Sequence, residues 1–146
     1  MRRVAILSAL SLFIAGACSQ PPPLARVGDI ALLSAYAHPS AGDAGAAYFR
    51  LKNLGGVADS LVAARGPDSS SAMLMGTSNG HMTMAAVVVL EPGEVVAMIP
   101  GAMHVMFSGL TRDYAIGDTL RVTLRFARAG ELRVAAPVVP FGEMPE

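Results

Sequence analysis

The segment Thr119-Leu120-Arg121-Val122-Thr123-Leu124-Arg125-Phe126 alternates apolar and polar side chains without a break. An extended strand puts every second residue on one side. Leu120, Val122, Leu124 and Phe126 therefore face a core, while Thr119, Arg121, Thr123 and Arg125 face water. Arg128-Ala129-Gly130 reads as a turn, and Glu131-Leu132-Arg133-Val134 returns as the second strand of a hairpin. Upstream, Gly and Pro punctuate short β-prone runs, and no segment carries an amphipathic helical period. The runs predict strands near 27–37, 46–53, 58–64, 71–76, 81–89, 94–98, 103–110, 119–126 and 131–138. This is the pattern of an all-β chain whose strands pack as a two-sheet sandwich. A length of 146 residues suits one domain.

The start of the chain reads differently. Arg2 and Arg3 precede a 14-residue apolar or small stretch, Val4 to Ala17, that is short for a membrane span. Residues 1–17 are expected to be a signal peptide of the lipoprotein type. Ala15-Gly16-Ala17-Cys18 resembles a bacterial lipobox, in which the Cys carries lipid after cleavage just before it; Leu is commoner where Ala15 stands. Residues 18–26, with Pro21-Pro22-Pro23, then form the lipidated Cys18 and its tether, attaching the protein to a membrane. The resemblance implies the periplasmic face of a bacterial membrane, and Ser19 after the Cys resembles outer-membrane sorting. The alternative is plain secretion. Residues 27–139 are expected to be the sandwich and 140–146 a flexible tail.

Composition excludes several functions. Only 15% of residues are charged and no long basic run exists, so the chain lacks the cationic footprint of a nucleic-acid partner. Cys18 is the single cysteine. With its sulfur lipidated, the domain has no thiol for a disulfide, a zinc–thiolate site, a cysteine nucleophile or a blue-copper centre. There is no Gly-x-Ser-x-Gly, no Walker A loop and no His-Glu-x-x-His, and no acid and base pair at useful spacing, so no catalysis is expected.

Methionine is the anomaly. Seven methionines fall between residues 73 and 106: Met73, Met75, Met82, Met84, Met98, Met103 and Met106. Met73/Met75, Met82/Met84 and His104/Met106 are spaced by two, which on a strand places each pair on one face, about 7 Å apart. Thioether is a soft neutral ligand that suits Cu(I), and imidazole binds copper as well. The competing reading is ordinary core packing, where methionine fills gaps. Of the other histidines, His81 adjoins Met82 at a turn or strand start and either faces solvent or lends an imidazole. His38, in a Pro39-Ser40-Ala41-Gly42 loop, is expected to be exposed.

Three stretches carry a family resemblance. Ala44-Gly45-Ala46-Ala47-Tyr48-Phe49-Arg50-Leu51-Lys52-Asn53, then Asp59-Ser60-Leu61, then Gly101-Ala102-Met103-His104-Val105-Met106-Phe107-Ser108-Gly109-Leu110 resemble, in order, the periplasmic copper chaperones called PCuAC. The resemblance runs from about Val27 to Val138 and implies a cupredoxin-like Greek-key sandwich that carries Cu(I) without catalysing a reaction. It also implies a copper-accepting partner, such as a cytochrome oxidase subunit or a Sco-type protein. The family's metal pattern is His or Met, ten residues, Met, twenty-one residues, then His-x-Met. His104 and Met106 match directly, and Met73 and Met84 match its first half, with nineteen residues from Met84 to His104. Met82 has the family's spacing to His104, but Ser71 then stands at the first ligand position. The implied set is Met73, Met84, His104 and Met106, with Met75, Met82 and His81 as further candidates.

Overall fold

The computed structural model describes residues 21–145 apart from Ala86. The leader and Cys18 lie outside the described residues. Within them the chain forms eleven strands and no α-helix: β1 (Ala25–Val27), β2 (Ile30–Ala37), β3 (Gly45–Asn53), β4 (Asp59–Arg65), β5 (Ser71–Ser78), β6 (His81–Met84), β7 (Val88–Leu90), β8 (Val95–Ala97), β9 (His104–Ser108), β10 (Thr119–Phe126) and β11 (Gly130–Pro137). They make two antiparallel sheets. The larger runs β1-β2-β3-β9-β5-β6, with β8 pairing the far end of β3; the smaller runs β11-β10-β4-β7. The architecture is the expected cupredoxin-like β-sandwich.

The alternation in β10 becomes one wall of the core. Leu120, Val122, Leu124 and Phe126 are buried, and the intervening residues point out. They meet Ala136, Val134, Leu132 and Gly130 across the β10–β11 ladder. Leu61, Val88 and Leu90 complete this sheet's inner face. Phe49, Leu51, Leu74, Val105 and Phe107 fill it from the larger sheet. Met98 is fully buried there, so this methionine is core packing.

Two predicted strands are broken in the structure. The 27–37 run folds on itself at Gly28-Asp29, where Gly28 has φ +52° and Val27 pairs with Ile30. A positive φ is open to glycine at little cost, so the turn forms there. The 81–89 run is split between sheets. His81–Met84 pairs with β5, whereas Val88–Leu90 pairs with β4 in the other sheet. Val88 and Leu90 gain a place in the core by the crossing, and Met82 and Met84 stay outside it.

Asp59 pins the end of the β10–β11 hairpin to β4. Its buried carboxylate accepts the Arg128 and Ala129 amides at 2.9 Å each, and the Ser60 amide at 2.7 Å. Asn53 does similar work at the end of β3, donating to the carbonyls of Val57 and Leu90 and accepting the Gly55 amide. The Asn53 bond to Leu90 thus ties β3 of the larger sheet to β7 of the smaller on the core side, while the outer face of the larger sheet carries the candidate site.

Candidate metal centre

Side chains on the larger sheet divide by parity. Leu74, Val105 and Phe107 point into the sandwich, so Met73, Met75, His104 and Met106 point to the outer face. The ladders fix how these residues meet. Met73 is opposite Met106, and Met75 is opposite His104. On the other side of β5, Met75 is opposite Met84. Directly opposed residues share a face, with Cβ atoms about 5 Å apart. Met73, Met84, His104 and Met106 therefore surround Met75 on three sides. Long thioether side chains from neighbouring strands can reach a common point above it.

The remaining candidates lie farther off. Met82 is opposite Thr77, one two-residue step beyond Met75. His81 is opposite Ser78, so its parity sends it to the opposite face from the methionines, and it is exposed. Met103 precedes β9 and packs against the core. Among the described residues, no three His, Cys, Asp or Glu side chains come together as a metal cluster. The constellation on this face is thioether and imidazole, which is soft and uncharged.

Exposure is graded across the site. His104 is 4% exposed, Met73, Met75 and Met106 are half-buried, and Met84 is 71% exposed on β6. His104 is also held in one orientation. Its Nδ1–H donates to the Ala102 carbonyl oxygen at 3.0 Å. A carbonyl only accepts, so Nδ1 carries the proton and Nε2 is left with a lone pair for a metal.

An aromatic wall borders the imidazole. The Tyr48 ring lies 6.0 Å from that of His104, centre to centre, and stacks on Tyr36 at 5.0 Å. Burial pushes the Tyr48 phenol above its usual range; burial and then the neighbouring Tyr48 do the same to Tyr36. Both phenols stay protonated at neutral pH, so the wall is uncharged. His38 belongs to this wall and not to an exposed loop. It is 8% exposed, packed by Tyr36, Tyr48 and Phe141, with Phe141 edge-on at 4.8 Å. The expectation of an exposed His38 is thus corrected: Phe141, about a hundred residues on, packs over the ring, and no local pattern marks that contact. Tyr36, whose hydroxyl has no partner among the described residues, was equally invisible to sequence patterning.

The family model described as "Putative lipoprotein LpqE-like" matches residues 30–138, most of the chain. The chain belongs to the LpqE-like family. No curated protein matches it. Among solved structures it is similar to the apo PCuAC domain from PmoF1, at 24% identity and a TM-score of 0.72, over 80% of this chain and 98% of that one. The copper-bound PCuAC domain from PmoF2 aligns at 22% identity and a TM-score of 0.70, over 80% and 97%. The Cu(I) form of DR1885 from Deinococcus radiodurans aligns at 28% identity and a TM-score of 0.63, over 88% and 85%. This LpqE-like chain thus has the fold of the PCuAC domains.

Proposed function

We propose that the chain is a lipid-anchored, extracytoplasmic protein that binds Cu(I) through His104, Met106, Met73 and Met84, with Met75 beneath them, and passes the ion to an acceptor. One observation carries the reading: a single ladder row aligns Met84, Met75 and His104 on one outer face, with Met73 and Met106 paired in the next. Every side chain in this grid can coordinate without losing a proton; the thioethers prefer a soft cation, and the imidazole binds copper as well. The copper-bound PCuAC domain and the Cu(I) form of DR1885 support the metal, since both share the fold. The LpqE-like model, which describes lipoproteins, supports the anchor at Cys18.

The gradient of exposure suits transfer by ligand exchange. The buried His104 holds the inner side, and the exposed Met84 is the ligand an incoming acceptor can replace first. The decisive experiment is a Cu(I) titration against a coloured chelator, in parallel with a His104→Ala/Met106→Ala variant. One tightly held equivalent that the variant loses supports the reading. Equal uptake by both proteins makes the methionine grid ordinary packing.

The acceptor is the further step. An oxidase subunit or a Sco-type protein is what the PCuAC resemblance implies, and copper buffering without a client is the rival. A deletion strain separates them. Loss of copper from the oxidase supports delivery; copper sensitivity with a normal oxidase supports buffering.

A further inference from the structure

At the other end of β3 from the methionine grid, the same outer face carries a groove of about 370 Å³. Pro21, Leu24, Leu33, Arg50, Lys52 and Val95 line it. Arg50 and Lys52 alternate with the buried Phe49 and Leu51, so both project from the outer face. No carboxylate lines the groove, and among the described residues neither cation forms an ion pair. On adjoining turns, Asp29 pairs with Arg26 at 3.3 Å, and Glu94 accepts the Glu91 amide at 2.8 Å. Beside the cations, Leu24 is 65% exposed and Val95 40% exposed. Exposed apolar side chains flanked by unpaired cations match the boundary between acyl chains and anionic headgroups.

The chain's own course says what covers this patch. Cys18 precedes Pro21 by three residues, and three residues span at most about 11 Å. A lipid on Cys18 therefore holds the bilayer surface within that reach of the groove.

We infer that the groove docks on an anionic lipid surface, with Leu24 and Val95 entering the headgroup boundary and Arg50 and Lys52 over headgroup phosphates. The inference rests on the lipid-anchor part of the proposed function. It has a consequence for transfer. Arg50 is one two-residue step, about 7 Å, from Tyr48, whose ring lies 6.0 Å from that of His104, so docking brings the His104 edge of the methionine grid within roughly 13 Å of the Arg50 position. The acceptor would then present its own site at the membrane surface.

The test uses the full lipidated chain in vesicles of phosphatidylcholine, with or without phosphatidylglycerol, containing nitroxide-labelled headgroups. With Cys18 lipidated, Val95→Cys supplies one free thiol for a fluorophore, and Arg121→Cys supplies a control on the opposite sheet. Expected is quenching at position 95 and not at 121, on acidic vesicles, lost when Arg50→Gln/Lys52→Gln is added. Two cations near an anionic surface change the docked population by about thirtyfold. Equal quenching at both positions, or on both vesicle types, overturns the inference. So does a response of the position-95 probe to inorganic phosphate alone, which marks a free-anion site, or a dependence on protein density, which marks a second copy. The mass of the Cys18 peptide, read separately, shows whether the anchor itself has failed.

Discussion

Met75 lies directly opposite His104 in the ladder between β5 and β9, and directly opposite Met84 in the ladder between β5 and β6. Among the described residues, no other methionine of the cluster has candidate ligands on both flanking strands. The thioethers are therefore not equivalent, although their spacing in sequence makes them look so. Met75→Leu should lower Cu(I) affinity by at least about tenfold, the scale on which even outer-shell changes act at metal sites. Met84→Leu, at the exposed rim, should cost less. Met82→Leu, one step away and 54% exposed, should change affinity by no more than about twofold. Chelator competition on the three variants reads the order, and equal losses from Met75 and Met82 would contradict the ladder-based ranking.

Much of this geometry was legible from period-two patterning. The alternation in Thr119–Phe126 and the spacing of His104 and Met106 depend only on which way successive residues of a strand point, which is a local property. The uncertain part was register. Whether Met73 or Met75 faces His104 depends on how β5 slides against β9, and residues thirty apart carry no local mark of that pairing. The division of the run into β6 and β7 was hidden for a similar reason: Val87 and Val88 continue a β-prone run, and only the need to bury Val88 and Leu90 in the second sheet divides it. His38 misled because a neighbouring Pro and Gly signal a loop, while its cover arrives from Phe141, about a hundred residues away.

Asp59 offers a test of the fold that leaves the metal face alone. Its carboxylate satisfies the Arg128 and Ala129 amides across the hairpin. Removing it takes the acceptor from both donors, and hydrogen bonds to a charged group contribute about 1.5–3 kcal/mol each. Asp59→Ala should destabilise the protein by about 3 kcal/mol in urea unfolding, and Asp59→Asn, which keeps one acceptor, by less. Cu(I) stoichiometry below the unfolding transition should be unchanged in both.

Tyr36 predicts a change in the opposite direction. Among the described residues its buried hydroxyl has no hydrogen-bond partner. Leaving a polar group in that state costs about 1–3 kcal/mol, so Tyr36→Phe should raise stability by about 1 kcal/mol while keeping the stack on Tyr48. The same site sets an alkaline limit. Burial first, and the neighbouring Tyr48 second, raise the Tyr36 phenol above its ordinary value of 10.0. The unfolded chain then releases this proton before the folded one does. The stability contribution is complete below that ordinary value and is lost as pH climbs through the raised one. Unfolding midpoints measured across alkaline pH should fall less steeply in Tyr36→Phe than in the parent.

The hydrogen bond from His104 Nδ1 to the Ala102 carbonyl makes Nε2 the only ring atom open to a metal. A proton and Cu(I) then compete for one lone pair, while the thioethers of Met73, Met75, Met84 and Met106 bind no proton at all. In acid, Cu(I) affinity should therefore fall toward the level the thioethers supply by themselves. His104→Met should bind more weakly at neutral pH but hold that affinity as pH falls, because every remaining donor is sulfur. The measurement is chelator competition repeated across acidic pH on both proteins. A flat profile in the parent would remove His104 from the coordination sphere. An equal slope in parent and variant would assign the proton elsewhere, and His38, buried beside Tyr48 on the far side from His104's strand, would be the next imidazole to substitute.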